Sequence, residues 1–427
     1  MKRFIFLILP IFLSAQNLSE ILKRVDNNLL LKSKDFEIKA KELLYESNRG
    51  KNLPSIDASL NALYLKETPK IYMNLNIPNM PKYFQAGSIN QYTGELSLTY
   101  PIFTGFAITN LIDKSKLEVK KSILEKDNLK RNLYMKTINI YTKIYSLNQA
   151  IKATKEALKA INLSYKKAKG FYNQGLIPPS ELYNIESKKY EIESLLNEYK
   201  NKRDSLFEML DYITNSKIKD IGGLKEIDVK KSLIDEAIEN REDILAIKEL
   251  LNIDEKDIKL AKSSLYPKLF FKGAIRKYGK NLKLNGDGYK NADESYVAFN
   301  ITQNIFNGFS DKKKIEAAKY KKLATLEYLK DYQKMVKSSL ISDFKTLNSL
   351  KLRLISAKKR VKAAKSYEEL IRGRFDNQLS SADELSRAIS SLAEAKAKYY
   401  SIKAAIFNQK CQILLKTSLK RFKKYFD

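Results

Sequence analysis

Acids and arginines crowd two short turns of this sequence. Glu181 nearly closes the stretch FYNQGLIPPSEL (residues 171–182). Arg374, Asp383 and Glu384 lie in RFDNQLSSADEL (residues 374–385), with Arg372 just before it and Arg387 just after. Carboxylates this close could form an acid–base dyad or pair with the guanidinium groups beside them. On lysine-rich helices the ion pair is the expected outcome, and Glu384 and Arg387, three residues apart, can share one helix face. The remaining chemistry is sparse. The chain has no His and one Cys, which removes His-based triads, most zinc sites and internal disulfides. Cys411, in the helical run IFNQKCQILL, is expected to be a small buried apolar residue. No glycine-rich phosphate loop and no GxSxG elbow occurs. Six Met and no His give no support for copper or silver transport. The residues point to no enzyme, no cofactor and no metal.

The two turns are copies of each other. Laying residue i over residue i+203 puts PIFTGF (residues 101–106) on NIFNGF (residues 304–309), Tyr172 on Phe375 and Leu176 on Leu379. It also puts Glu181-Leu182 on Glu384-Leu385. Upstream, Leu53-Pro54 matches Tyr266-Pro267 only if the first copy carries a longer loop, as a duplicated domain with a loop insertion would. The expected layout is a first repeat over residues 16–215, a linker over 216–232, a second repeat over 233–415 and a basic tail over 416–427. Each repeat reads helix, strand, loop, strand, very long helix, turn, long helix. Apolar residues recur by sevens at Ile144, Ile151, Leu158 and Tyr165, and again at Leu147, Thr154, Ile161 and Ala168. The second copy repeats them, with Glu368 as a break in the row. These are coiled-coil rows on a helix of about 60 residues, roughly 90 Å long.

Four segments alternate with a period of two. In IDASLNALY, Ile56, Leu60 and Tyr64 oppose Asp57, Ser59 and Asn61; in YTGELSLTYPI, Leu96 and Leu98 oppose Glu95, Ser97 and Thr99. In LFFKGAIR, Phe271 opposes Lys272, and in YVAFNITQNIF, Val297, Phe299, Ile301 and Ile305 oppose Asn300 and Thr302. About ten residues, apolar on one face and polar on the other, suit a tilted strand of an outer-membrane barrel, with Leu60, Leu96, Leu98, Phe271, Phe299 and Ile301 facing lipid. A half-buried soluble sheet alternates in the same way. Four strands cannot close a barrel around water, so the chain must pool strands with copies of itself, and three copies give twelve. The fold class expected is an α+β membrane protein. It joins a duplicated unit with four transmembrane β-strands per chain, in a shared trimeric 12-stranded β-barrel, to long antiparallel coiled-coil helices.

The ends agree with export. Residues 1–15 read as a signal peptide: Lys2 and Arg3, a short apolar run from Phe4 to Leu13, then Ser14-Ala15 as a cleavage site. An uncleaved anchor is the alternative. The formal net charge is +30, but lysines alternate with glutamates along helical stretches such as EVKKSILEKDNLKRN, as on solvated helix faces. No nucleic-acid partner is expected.

With the duplication, the strand pairs, YPIFTGF and QNIFNGF at the strand-to-helix junctions and the YNQGLIPPSEL turn in this order, the sequence resembles the TolC family of outer-membrane efflux proteins, in its non-acylated branch. The resemblance covers essentially the whole chain after the signal peptide. It implies a homotrimer in the outer membrane of a Gram-negative-type bacterium, in contact with outer-membrane lipid, whose β-barrel is continued into the periplasm by a long antiparallel coiled-coil α-helical barrel. It implies docking on a periplasmic adaptor protein and, through it, on an inner-membrane RND or ABC transporter. The two turns would be the tips of the periplasmic tunnel. Tyr172, Gly175, Leu176 and Ser180 of the first, with Phe375, Gln378, Leu379 and Ser381 of the second, would dock the adaptor. Glu181, Arg372, Arg374, Asp383, Glu384 and Arg387 would form the periplasmic gate, where a ring of carboxylates favours cations. Gly175 suits a turn needing permissive dihedrals, and Ser180 is placed to cap the following helix. Two positions depart from the family pattern: Arg387 stands where better-known members carry a second acid, and Gln378 stands for the second tip's glycine. The implied function is the exit duct of a tripartite system exporting drugs or other toxic small molecules. Type I polypeptide secretion is the alternative within the transporter class, because the pump selects the cargo. A non-transporting coiled-coil surface protein is the alternative outside it.

Overall fold

The computed structural model describes residues 16–426. The expected signal peptide lies outside the described residues. The chain runs through α1 (Leu18–Arg24), α2 (Leu29–Gly50), β1 (Ser55–Tyr64), β2 (Lys70–Tyr72), β3 (Tyr83–Gln85) and β4 (Asn90–Phe103). The helices α3 (Ala107–Asn173), α4 (Pro179–Thr214), α5 (Leu233–Asn240) and α6 (Glu242–Lys262) follow. Then come β5 (Lys268–Gly279), β6 (Tyr296–Thr302), α7 (Ser310–Asp376), α8 (Ala382–Thr417) and α9 (Leu419–Phe426). Among the described residues, no helix is long and apolar enough to cross a membrane.

The repeat is written into the element bounds. Adding 203 to the bounds of α3 and α4 returns those of α7 and α8, so both long helices have 67 residues and both return helices have 36. The first strands are related by 213 instead, Ser55 of β1 to Lys268 of β5. The difference is the longer loop of the first copy, which holds the β2–β3 hairpin. That hairpin was not expected from the sequence: three-residue strands are too short to show alternation.

The chain divides into two compact units. One comprises Ile38–Ser122 and Ile247–Tyr328 and contains the strands. Its main sheet is antiparallel, in the order β1-β4-β5-β6. Ile56 pairs with Leu98 in the first copy and Leu269 with Ile301 in the second, positions that the two offsets make equivalent. The outer strand β6 ends at Thr302, opposite Lys268 where β5 begins. Ile305, expected on the strand's apolar row, therefore lies past its end and is 95% exposed. Each second strand enters its long helix through a Gly-Phe pair with positive φ, Gly105-Phe106 and Gly308-Phe309. A Cβ on Gly105 would stand 2.5 Å from the Ser263 carbonyl oxygen, so only glycine fits that turn.

The other unit comprises Met1–Glu37, Ile123–Ala246 and Leu329–Asp427 and is helical. The heptad rows are its buried stripe: Ile144, Ile151, Thr154, Ile161 and Ala168 on α3, with Leu347, Ala357 and Ile371 on α7. Glu368, the break in the row, is buried and bonded by the Arg372 guanidinium at 2.9 Å. Arg131 is fully buried, 2.9 Å from Asp243 and 3.2 Å from Glu242. Glu242 also accepts from the Leu419 backbone N–H at 2.6 Å, and Asp243 from the Tyr332 hydroxyl at 2.8 Å. Burial pushes the Glu242 carboxyl up and the Arg131 guanidinium down. The expected basic tail is in fact the end of α8 plus α9, which buries Leu419 and Phe422 while presenting Lys423 and Lys424 at its end. Cys411 is buried, as expected, and burial raises its thiol pKa.

Candidate functional site

The two tips close by the same backbone device. In the first, Leu176 N–H donates to the Phe171 carbonyl at 2.9 Å and Gly175 N–H to that of Tyr172 at 2.9 Å. In the second, Leu379 donates to Arg374 at 2.8 Å and Gln378 to Phe375 at 3.0 Å. Both are Schellman helix ends, which need a left-handed residue at the turn. Gly175 takes it with φ 72° and Gln378 with φ 62°. Leu176 and Leu379 point outward at the two apices, 50% and 68% exposed, and nothing lies within 4 Å of a Cβ placed on Gly175. Tyr172 is exposed beside them, whereas Phe375 is buried and packs edge-on against Phe171, ring centroids 5.9 Å apart.

The helices that leave the tips start differently. Ser381 is the N-cap of α8, its hydroxyl accepting from the Glu384 N–H at 3.1 Å. The equivalent cap of α4 is Pro178, without a side-chain bond. Ser180 is therefore inside the first turn of α4 and is not its cap, a correction explained by Pro179 taking the first helical position, where no N–H is missed.

The charged residues sort into local pairs. Arg387 bridges Asp383, one turn back on α8, and not Glu384 as its three-residue spacing had suggested. Glu384 instead accepts from the Ser380 hydroxyl at 2.6 Å and the Tyr367 hydroxyl at 3.3 Å, and the Ser380 bond holds its carboxyl below the usual range. Arg372 is spent on Glu368, while Arg374 is exposed at the end of α7. The Glu181 carboxylate reaches across to the other repeat and accepts from the Ala382 N–H at 3.1 Å. Lys167 and Asp376 pair across the same joint at 2.6 Å. Below these contacts Ile161, Ala168, Ile185, Ile371, Leu385 and Ile389 form one buried cluster, so the two tips of the chain are packed as one body. No sequence signal marked Glu181 as a cross-repeat cap, because its partner is a backbone N–H.

In the unit that contains the strands, the register puts Leu60, Leu96, Leu98, Phe271, Phe299 and Ile301 on one face. The opposite face carries Glu95, bonded by Arg276 at 2.8 Å and Lys272 at 3.3 Å. Beyond the strands, Asp287 clasps the two loops together. Its carboxylate accepts from the Ser88 N–H at 3.1 Å and the Tyr289 and Lys290 N–H groups at 3.0 and 2.8 Å. Within the chain β1 and β6 are each paired on one side only. Among the described residues, no cluster of His, Cys, Asp and Glu could hold a metal ion.

The profile of the outer membrane efflux protein family matches residues 22–215 and 233–412. Toxin and drug export protein A of Aggregatibacter actinomycetemcomitans is 23% identical over 274 residues, which is 61% of this chain; the match spans 57% of that protein's length. Among solved structures, the outer membrane protein VceC of Vibrio cholerae superposes with a TM-score of 0.76 at 12% identity, over 94% of this chain and 95% of that one. The Campylobacter jejuni CmeC outer membrane channel does so with a TM-score of 0.77 at 17% identity, over 94% and 85%. A duplicated α+β chain with this sheet and these helices, matched over most of its length by one family, is assigned by that match: it belongs to the outer membrane efflux protein family, and its place is the outer membrane.

Proposed function

We propose that three copies of this chain close one twelve-stranded barrel in the outer membrane, continued by paired helices in the periplasm, and that the assembly is a passive export duct. The observation that carries this reading is the open sheet. Its apolar face suits lipid, but the edges of β1 and β6 offer unpaired backbone groups that lipid cannot satisfy. The repeat says how they would be used. The pairing of β4 with β5, carried through the two offsets, sets β6 against β1 of the next copy. Ile301 then faces Leu60 and Phe299 faces Ala62, so apolar residues meet on the lipid face. The junction below the strands agrees. Phe103, Phe106 and Tyr266 pack with ring centroids 5.1 and 5.6 Å apart, whereas the equivalent Phe306–Phe309 pair is exposed, with no third ring packed on it among the described residues. Leu53, equivalent to Tyr266 and 66% exposed, would supply that partner from the neighbouring copy.

The exposed tip leucines suit docking by a periplasmic adaptor, with energy supplied by an RND or ABC transporter of the inner membrane. The cargo is drugs or other toxic small molecules. The name of the A. actinomycetemcomitans relative covers toxin as well as drug, which keeps polypeptide secretion as the second reading. Light scattering in detergent, followed by conductance in planar bilayers, tests the duct. A conducting trimer is the expected result, and a monodisperse monomer or a non-conducting trimer overturns it. Co-purification of the native complex decides between the pump classes.

A further inference from the structure

Well above the tips, the two hairpins of one chain meet through α3 and α8, where Glu156 pairs with Lys396 at 2.7 Å. The 203-residue repeat carries Glu156 to Lys359 on α7 and Lys396 to Glu193 on α4, so the charges exchange sides. Lys359 and Glu193 are both exposed, and among the described residues neither is bonded to another side chain. Their neighbours are more apolar than those of the inner pair. Leu352 and Ile355, which precede Lys359 on its face of α7, are 70% and 58% exposed and stand where α3 has Gln149 and Lys152. Tyr190, one turn before Glu193, is 59% exposed and stands where α8 has Ala393. The other ion pair between the hairpins, Lys167 with Asp376, becomes Leu370 and Asn173, so the exchange of charge belongs to the level of Glu156 alone.

We propose that Lys359 of one copy pairs with Glu193 of the next, and that this pair decides which hairpin neighbours which during assembly. The free face of α4 is acidic at this level and the free face of α7 is basic, with Lys358, Arg360 and Lys362 exposed beside Lys359. Contact of either face with its own copy, which would close a two-fold dimer, sets like charges together. The head-to-tail contact of a second hairpin with the next first hairpin, which closes a ring, sets Lys359 against Glu193 and covers Leu352, Ile355 and Tyr190 on either side of the pair. The backbone cannot make this distinction, because the two hairpins have helices of the same lengths and tips closed by the same bonds. The inference rests on the trimeric reading above.

Light scattering first establishes the trimer; a monomer at that stage overturns the trimeric reading and this inference with it. In the trimer, Lys359→Cys with Glu193→Cys is treated with a short bismaleimide, the buried Cys411 staying in place. Covalent trimers on denaturing gels are the expected result. Linkage only within chains, or none, overturns the pairing while leaving the trimer standing. Lys359→Glu or Glu193→Lys puts like charges at all three joints between chains. Either is expected to speed the exchange of subunits between trimers about tenfold at low salt, and much less at about 1 M salt. Both reversals in one chain restore opposite charges and are expected to return exchange to within about twofold of the parent. A double reversal that exchanges as fast as the single ones overturns the pairing. Lys359→Gln with Glu193→Gln removes the penalty on like faces, and its refolding is expected to yield dimers beside the trimer. Refolding of that variant to trimers as cleanly as the parent overturns the steering role.

Discussion

Arg131 and Gln378 show two different costs that one residue can carry. Arg131 sits fully buried against Glu242 and Asp243, so removing its charge alone strands two carboxylates. Arg131→Leu is expected to destabilise the helical unit by about 3–5 kcal/mol, and Arg131→Leu with Glu242→Gln and Asp243→Asn to recover most of that loss. Urea unfolding followed by helical circular dichroism measures both. Gln378 holds a left-handed backbone that costs a side-chain residue about 1 kcal/mol or more, whereas Gly175 holds the same conformation freely. Gln378→Gly is expected to raise the stability of the second tip by roughly 1 kcal/mol, and Gly175→Ala to lower that of the first by a similar amount. Amide exchange at residues 374–380 and 171–177 reads both changes. The sequence showed that Gln378 takes a glycine's place, because the repeat aligns them. It could not show that Glu181 caps α8, since that bond joins residues 201 apart and uses a backbone donor.

At the scale of elements, the sheet and the helix starts were unequally legible. Alternation exposed β1, β4, β5 and β6 because each has a wet and an apolar face, and the repeat fixed their order. The end of β6 was misjudged because alternation continues to Ile305 after the partner strand has stopped. Leu98→Arg or Phe299→Arg is expected to cost about 2–4 kcal/mol if that face lies in lipid, while Asn300→Arg on the opposite face is tolerated. Heat stability of the folded band on detergent gels compares them, and equal losses on both faces would indicate a soluble sheet. At the tips, Ser381→Ala removes the only side-chain cap found on the two return helices and is expected to cost about 0.5–2 kcal/mol. The same change at Ser180 is expected to cost little. Stability measured by urea midpoint separates the two, and equal effects would contradict the asymmetric caps.

At the scale of the whole molecule, duplication is what made the architecture readable from residues, since two copies of one turn, one junction and one strand pair constrain each other. It left the loops unreadable: the β2–β3 hairpin belongs to the first copy alone, and the Asp287 clasp joins loops that the repeat does not relate.

The interleaving of the two compact units bears on how the protein can come into being. The helical unit takes one piece from the start of the chain, one from the middle and its last piece from Leu329–Asp427. The central pairing of the sheet joins Tyr92 to Gly279. No N-terminal portion of a growing chain can therefore complete the helical core, whereas the sheet is complete once Tyr328 is made, so folding of the helical unit cannot keep pace with synthesis. Until its final hundred or so residues arrive, the polypeptide holds all four strands of the sheet but neither α8 nor most of α7. A chain ending at Tyr328 is expected to show no protected amides in the helical unit and to aggregate unless a holding chaperone is present, and pulse-labelled exchange on truncated and complete chains would reveal it.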